Sequence, residues 1–161
     1  MLQRKFATLR ADINRELGNL RHLAAEAKEW SSRLSRWPDT IRVRTAGGIL
    51  HDFYCGAERI FRLIAVRIDQ DLPDGPNWHI QLLQRMATDI ETVRPAVLDR
   101  KMARQLDEYL RFRHLFRNIY GFDLEWERCR ELLDKLPAMF EKLAQRLMDF
   151  DEFLRTLERE T

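Results

Sequence analysis

The stretch Tyr109 to Phe122, YLRFRHLFRNIYGF, is where a helical pattern stops obeying its own apolar rule. Written at helical spacing, Met102, Leu106, Tyr109, Arg113, Phe116 and Tyr120 make one stripe in steps of four and three, so a guanidinium interrupts a core-facing line. Arg111, Arg113 and Arg117 fall in a seven-residue run without an acid, beside His114 and Asn118. Buried charge is costly unless it is paired or held at a wet cleft, which makes this stretch a site candidate.

Outward from it, the same spacing recurs along the chain. Residues 3–36 place Phe6, Leu9, Ile13, Leu17, Leu20, Ala24, Ala27, Trp30 and Leu34 on one face of a long helix, which Trp37-Pro38-Asp39 ends. Asp39 or Thr40 is the expected cap of a second helix over about residues 40–69, with Ala46, Leu50, Phe53, Ala57, Ile60, Ile64 and Ile68 inward. Gly47, Gly48 and Gly56 each cost about 1 kcal/mol of helix propensity, and close packing is the expected compensation. DLPDGPNW (71–78) reads as a turn, after which Asn77 caps a short helix with Trp78, Leu82, Leu83 and Met86. After a loop through Arg94-Pro95, Asp99 is the expected N-cap of the fourth helix and Gly121 its left-handed terminator. From Asp123 a last helix carries Leu136, Phe140, Leu143, Leu147, Phe150, Leu154 and Leu157, with a kink expected at Pro137.

Five helices with short linkers predict an all-α, up-and-down bundle rather than an extended coiled coil. At 161 residues, 45% hydrophobic and 34% charged, the chain (1–161) reads as one soluble helical domain. Its net charge is only +2, and residues 121–161 hold 7 basic and 11 acidic side chains, so a broad nucleic-acid-binding face is excluded and any RNA contact must be local. Cys55 and Cys129 form no CxxC pair, which points to free thiols in a reducing, cytoplasmic compartment. His51 and Cys55 share a helical face, but two ligands do not make a metal site. No apolar run approaches the ~18 residues of a membrane span, and the charged start does not read as a signal peptide.

At Arg113-His114-Leu115-Phe116-Arg117-Asn118-Ile119-Tyr120 the sequence resembles the HEPN superfamily, in particular HepT-like toxins. Their pattern is Arg, a polar residue, three more residues, His, one residue, Tyr. Arg113 matches the arginine, His114 the polar position and Tyr120 the tyrosine, while Asn118 stands where the family has its catalytic histidine. The helical layout, with the motif late in the fourth of five helices, is similar as well. The resemblance implies a HEPN-type bundle acting as a homodimer, and metal-independent RNA cleavage without a cofactor in active members. It further implies neutralisation by an MNT-type nucleotidyltransferase antitoxin, with Tyr120 as the acceptor of adenylate from that partner.

The chemistry suits those residue types. A guanidinium stabilises charge developing on a phosphoryl group, and an imidazole takes the proton of a ribose 2′-hydroxyl, which an amide cannot do. Arg113, Asn118 and His114 are the candidate catalytic residues, and Arg111 and Arg117 the candidate phosphate contacts. Asp52 and Glu58, near the packed face of the second helix, are either solvated surface acids or the source of Arg113's partner. On an unbroken helix Tyr120 lies within about 20° of Arg113 and Asn118 about 140° away, so a helix end or a second subunit is needed to bring them together. Arg113 paired with a neighbouring carboxylate and Tyr120 in the core remain the simpler alternatives. The functional expectation is an RNA-directed toxin component whose nuclease activity is weakened or lost. The alternative is a non-catalytic helical subunit that binds a nucleotidyltransferase or another protein.

Overall fold

Apolar residues at three-and-four spacing fold into five α-helices in the computed structural model, which describes residues 2–160. They are α1 (Leu2–Arg33), α2 (Asp39–Ile64), α3 (Trp78–Met86), α4 (Arg100–Asn118) and α5 (Trp126–Glu160), with no strand among the described residues. The architecture is an all-α helical bundle, as the periodicity predicts. Helix α2 packs against each of the other four, and one contiguous buried cluster draws on all five.

Two glycines set how closely α2 meets its neighbours. A Cβ on Gly56 would lie 2.6 Å from Leu20 Cδ2 of α1, and one on Gly47 would lie 2.8 Å from Phe116 Cε2 of α4. Both distances are below van der Waals contact, so the packing offsets the propensity loss at these positions. Gly48 has open space around its Cα and takes no part in such a contact.

The helix ends differ in places from expectation. Pro38 occupies the N-cap of α2, and Asp39 sits inside the first turn, where it pairs with Arg42. Asn77 stands at the N-cap of α3 but makes no side-chain capping bond, whereas Asp99 accepts from Met102 N at 2.7 Å at the start of α4. Helix α4 stops at Asn118, because Ile119 is extended (φ −127°, ψ 162°). Gly121 does not adopt the left-handed conformation expected of it. It opens a short 3-10 turn, Gly121–Asp123, and a Cβ there would come to 3.0 Å from Arg44 Cγ, so close approach of that side chain favours glycine. Helix α5 begins at Trp126 rather than Asp123 and runs through Pro137 without interruption.

The end of α2 widens into a π turn, Ala65–Asp69, closed by Gln70 in the left-handed region (φ 56°). An i→i+5 turn shifts the register of the residues after it, and here it accompanies the inward aim of Asp69. Asp69 holds Arg94, from the loop before α4, through Nε at 2.6 Å and Nη2 at 2.8 Å. The two side chains are 3% and 0% exposed. The remaining guanidinium donors go to the carbonyls of Thr88, Pro95 and Arg85 at 3.2, 3.2 and 3.3 Å. Removing one partner strands a buried charge, so Asp69→Ala is expected to lower the unfolding free energy by about 3–5 kcal/mol in a urea titration. A loss within ~1 kcal/mol would show that the pair does not hold the loop.

Candidate functional site

The face of α4 that turns away from the core meets α3 across an open groove of about 1020 Å³. Leu106, Tyr109 and Phe112 point into the core, and Tyr109 Oη donates to the Leu132 carbonyl of α5 at 3.0 Å. Burial pushes the Tyr109 phenol above its ordinary range, so it stays a donor. With that side committed, residues at steps of three and four on the other side, Arg104, Asp107, Arg111, His114 and Arg117, form the groove wall. Arg113 and Asn118 also line it.

The predicted residues separate into two groups. Arg111, Arg113, His114, Arg117 and Asn118 come together along the groove, whereas Tyr120, Asp52 and Glu58 are not part of its lining. Arg111 is exposed and bonded to Asp107 at 2.8 Å, while Arg117 has no ion pair among the described residues. Arg113 is partly buried, and its Nε donates to the Cys55 thiol at 3.2 Å. The arginine in the stripe therefore rests on a weak sulfur acceptor rather than on a carboxylate, and its charge is left for the groove. Cys55 also lies within 3.7 Å of His51, whose ring packs 5.1 Å from that of Phe116. Both cysteines are free, and burial pushes the Cys129 thiol up to about 11, so it is an inert part of the core.

Neither acid reaches Arg113. Asp52 is exposed with His51 at 3.4 Å, and Glu58, 7% exposed, accepts from or shares a proton with His79 Nδ1 at 2.7 Å. The separation of 21 residues between Glu58 and His79 left this bond without a local signal in the sequence. His79 lies in the first turn of α3 and lines the groove opposite α4. Its ring stacks on Trp78 at 3.6 Å, and Arg62 covers that indole at 5.3 Å. Sequence reading missed His79, as it missed Arg104.

Two further positions bear on the chemistry. Asn118 Nδ2 donates to the His114 carbonyl at 2.6 Å, so the amide closes the last turn of α4. Tyr120 lies beyond the helix end and is 72% exposed, its ring parallel to that of Phe122 (5.2 Å, 6°). The helical angle between Tyr120 and Arg113 no longer applies, because no helix connects them. Tyr54 is the converse case: its hydroxyl is fully buried and has no hydrogen-bond partner. Burial, then the charges of Glu58 and Asp107, push the phenol far above its ordinary range, with Arg113 opposing.

Comparison with curated proteins and with solved structures returns no match. The description "HepT-like protein" belongs to a family whose model matches residues 45–154, a span that takes in most of α2, all of α3 and α4, and most of α5. Both walls of the groove, and well over half of the sequence, are thus covered, and the chain belongs to the HepT-like family.

Proposed function

We propose that this protein is the HepT-like component of a bacterial toxin–antitoxin pair, acting on RNA in the cytoplasm by a metal-independent cleavage that is weakened because Asn118 replaces the histidine. The observation that carries this reading is the state of Arg113: it lines the groove, touches no carboxylate, and has Arg117 and Arg104 on the same wall. Such a row suits a phosphodiester, whose charge a guanidinium neutralises in the ground state and stabilises further in the transition state. Asn118 adds no proton acceptor, since its amide does not titrate and is already bonded to the His114 carbonyl.

The expected partner is an MNT-type nucleotidyltransferase antitoxin, and the expected assembly is a homodimer through α4 and the groove. The exposed Tyr120–Phe122 pair, two residues past the groove-lining Asn118, supports an interface at this end of the bundle. The same pair favours the second reading, a non-catalytic subunit that docks a nucleotidyltransferase or another protein there.

Asn118→His is expected to raise cleavage of single-stranded RNA without added metal, toward the 10²- to 10⁴-fold that a general base typically contributes, leaving a cyclic phosphate end. Arg113→Ala should abolish it. If neither substitution changes the rate of RNA cleavage, the docking reading takes its place. Light scattering at tens of micromolar is expected to give twice the 19.4 kDa chain mass. A monomer at that concentration removes the twofold groove.

Tyr120 is the expected acceptor of adenylate from the partner, a role supported by its exposure. The added phosphate would place negative charge near the last turn of α4, beside Arg117. Incubation with the nucleotidyltransferase and ATP should add one adenylate to the protein by mass spectrometry, and none to Tyr120→Phe. Labelling that survives in Tyr120→Phe puts the modification elsewhere.

A further inference from the structure

The groove has two walls, and the reading above uses only one. Opposite the α4 arginines, α3 presents His79, whose Nδ1 lies 2.7 Å from Glu58 Oε2. With an ionised carboxylate, which only accepts, the imidazole donates from Nδ1, and its neutral form then carries the free lone pair on Nε2. Glu58 is a buried residue of α2, Trp78 stacks on the ring at 3.6 Å, and Arg62 covers Trp78. Glu58 and Trp78 therefore restrain the ring's orientation, with Arg62 backing the indole, the arrangement by which an oriented imidazole serves as a base rather than as a freely rotating surface side chain.

A purely structural pair would tie α3 to α2 and stop there. Two observations point further. His79 lines the same groove as Arg113 and Arg117, although the pairing with Glu58 alone would be satisfied with the ring shielded from it. The Tyr54 hydroxyl, buried and unpartnered, feels the charges of Glu58, Asp107 and Arg113 together. The dyad and the arginine thus belong to one polar region.

We infer that His79, oriented by Glu58, is the general base of this groove and carries the residual RNA cleavage that Asn118 cannot. This rests on the RNA-cleavage reading of Arg113. In the step, His79 Nε2 takes the proton of the ribose 2′-hydroxyl, the 2′-oxygen bonds to phosphorus, and the bond from phosphorus to the 5′-oxygen breaks. The proton passes through solvent to the departing 5′-oxygen. The products are a 2′,3′-cyclic phosphate and a 5′-hydroxyl, and nothing is oxidised or reduced. Arg113 and Arg117 face the charge on the phosphoryl oxygens. Glu58 is a positioning residue.

The charged groups around His79 are its partner Glu58 and, behind Trp78, Arg62 from α2, and across the groove lining from α4 the acids Asp107 and Glu108 with the cations Arg104, Arg111, Arg113 and Arg117. His114, on the same wall of α4, is the other imidazole of the groove, so a pH profile alone does not assign the base.

The test measures kcat/KM against pH for a single-stranded RNA oligonucleotide, in the wild type, His79→Gln, His114→Gln, Arg113→Ala and Asn118→His, and in the double variant Asn118→His/His79→Gln. The expected result is a wild-type limb that rises as an imidazole loses its proton and persists in His114→Gln. In His79→Gln it should vanish, with a loss of at least ~10²-fold. The double variant should keep the activity that Asn118→His introduces, because the base then stands at position 118, and this separates chemistry from a structural loss. Equal losses in both backgrounds make His79 structural and overturn the inference. Unchanged rate and profile in His79→Gln, with Arg113→Ala inactive, overturn it while the RNA reading stands. Cleavage by Asn118→His with none by the wild type does the same. No cleavage by either overturns both.

Discussion

The buried pairing of Arg94 with Asp69 is the constraint on which the groove depends. Both side chains are withdrawn from water, and an ion pair in that position is stable only when its remaining donors are met, as the carbonyls of Arg85, Thr88 and Pro95 meet them here. The Thr88 and Pro95 carbonyls belong to the connection between α3 and α4 and that of Arg85 to the last turn of α3, while Asp69 belongs to the π turn at the end of α2. One guanidinium therefore fixes the two groove helices to the central helix. The same connection is held from the other side by Met86 O, which accepts from Val97 N and Leu98 N, and by Arg146 of α5, which donates to Val97 and Ala96 carbonyls at 2.9 and 3.2 Å. A loop with its backbone groups so fully used has few alternative conformations, and the distance between α3 and α4 is set by it.

Against that rigid frame, the contrast between Arg94 and Arg113 is instructive. Both are arginines at partly or wholly buried positions. Arg94 meets a carboxylate and three carbonyls and is consumed by the fold, whereas among the described residues Arg113 bonds only the Cys55 thiol. Its charge is tolerated because the groove admits water, so the desolvation that would otherwise demand an acid is incomplete. Glu58, the acid one helical turn along α2 from Cys55 and Tyr54, faces away from that task toward His79. The fold thus keeps a carboxylate and a guanidinium in one region without letting them neutralise each other.

Much of this was legible in the sequence, for physical reasons that also explain the rest. The three-and-four spacing gave five helices because burial of one face is a local property, repeated every turn. The Asp99 cap and the clustering of Arg111, Arg113, His114, Arg117 and Asn118 were readable because each depends on residues within about two turns of a single helix. The end of α4 was not: Gly121 signals a left-handed cap by type, yet its role is to let Arg44, 77 residues earlier, pass close by. Likewise the pairs Glu58–His79 and Asp69–Arg94 join residues 21 and 25 apart across turns, where neither periodicity nor motif relates them. Both long-range pairs are charge-bearing, and neither was reached from the sequence, in which Glu58 reads as a surface acid or as Arg113's partner.

The placement of charge sets what kind of ligand the groove can hold. Arg104, Arg111, Arg113 and Arg117 stand against Asp107 and Glu108, an excess of cation within one cleft of a chain whose formal net charge is only +2. Arg111 is already paired with Asp107, which leaves Arg113, Arg117 and, farther along the groove, Arg104. At physiological ionic strength the field of such a cluster decays over about 8 Å, so it cannot draw a polyanion from a distance as a broad basic face does. Binding must then come from contacts made inside the cleft, where water is partly excluded and a bidentate guanidinium contact is stronger than at an open surface. On the proposed RNA reading, that geometry would suit a flexible single strand able to bend one phosphate into the groove better than a duplex, whose phosphates are fixed along a wide rod.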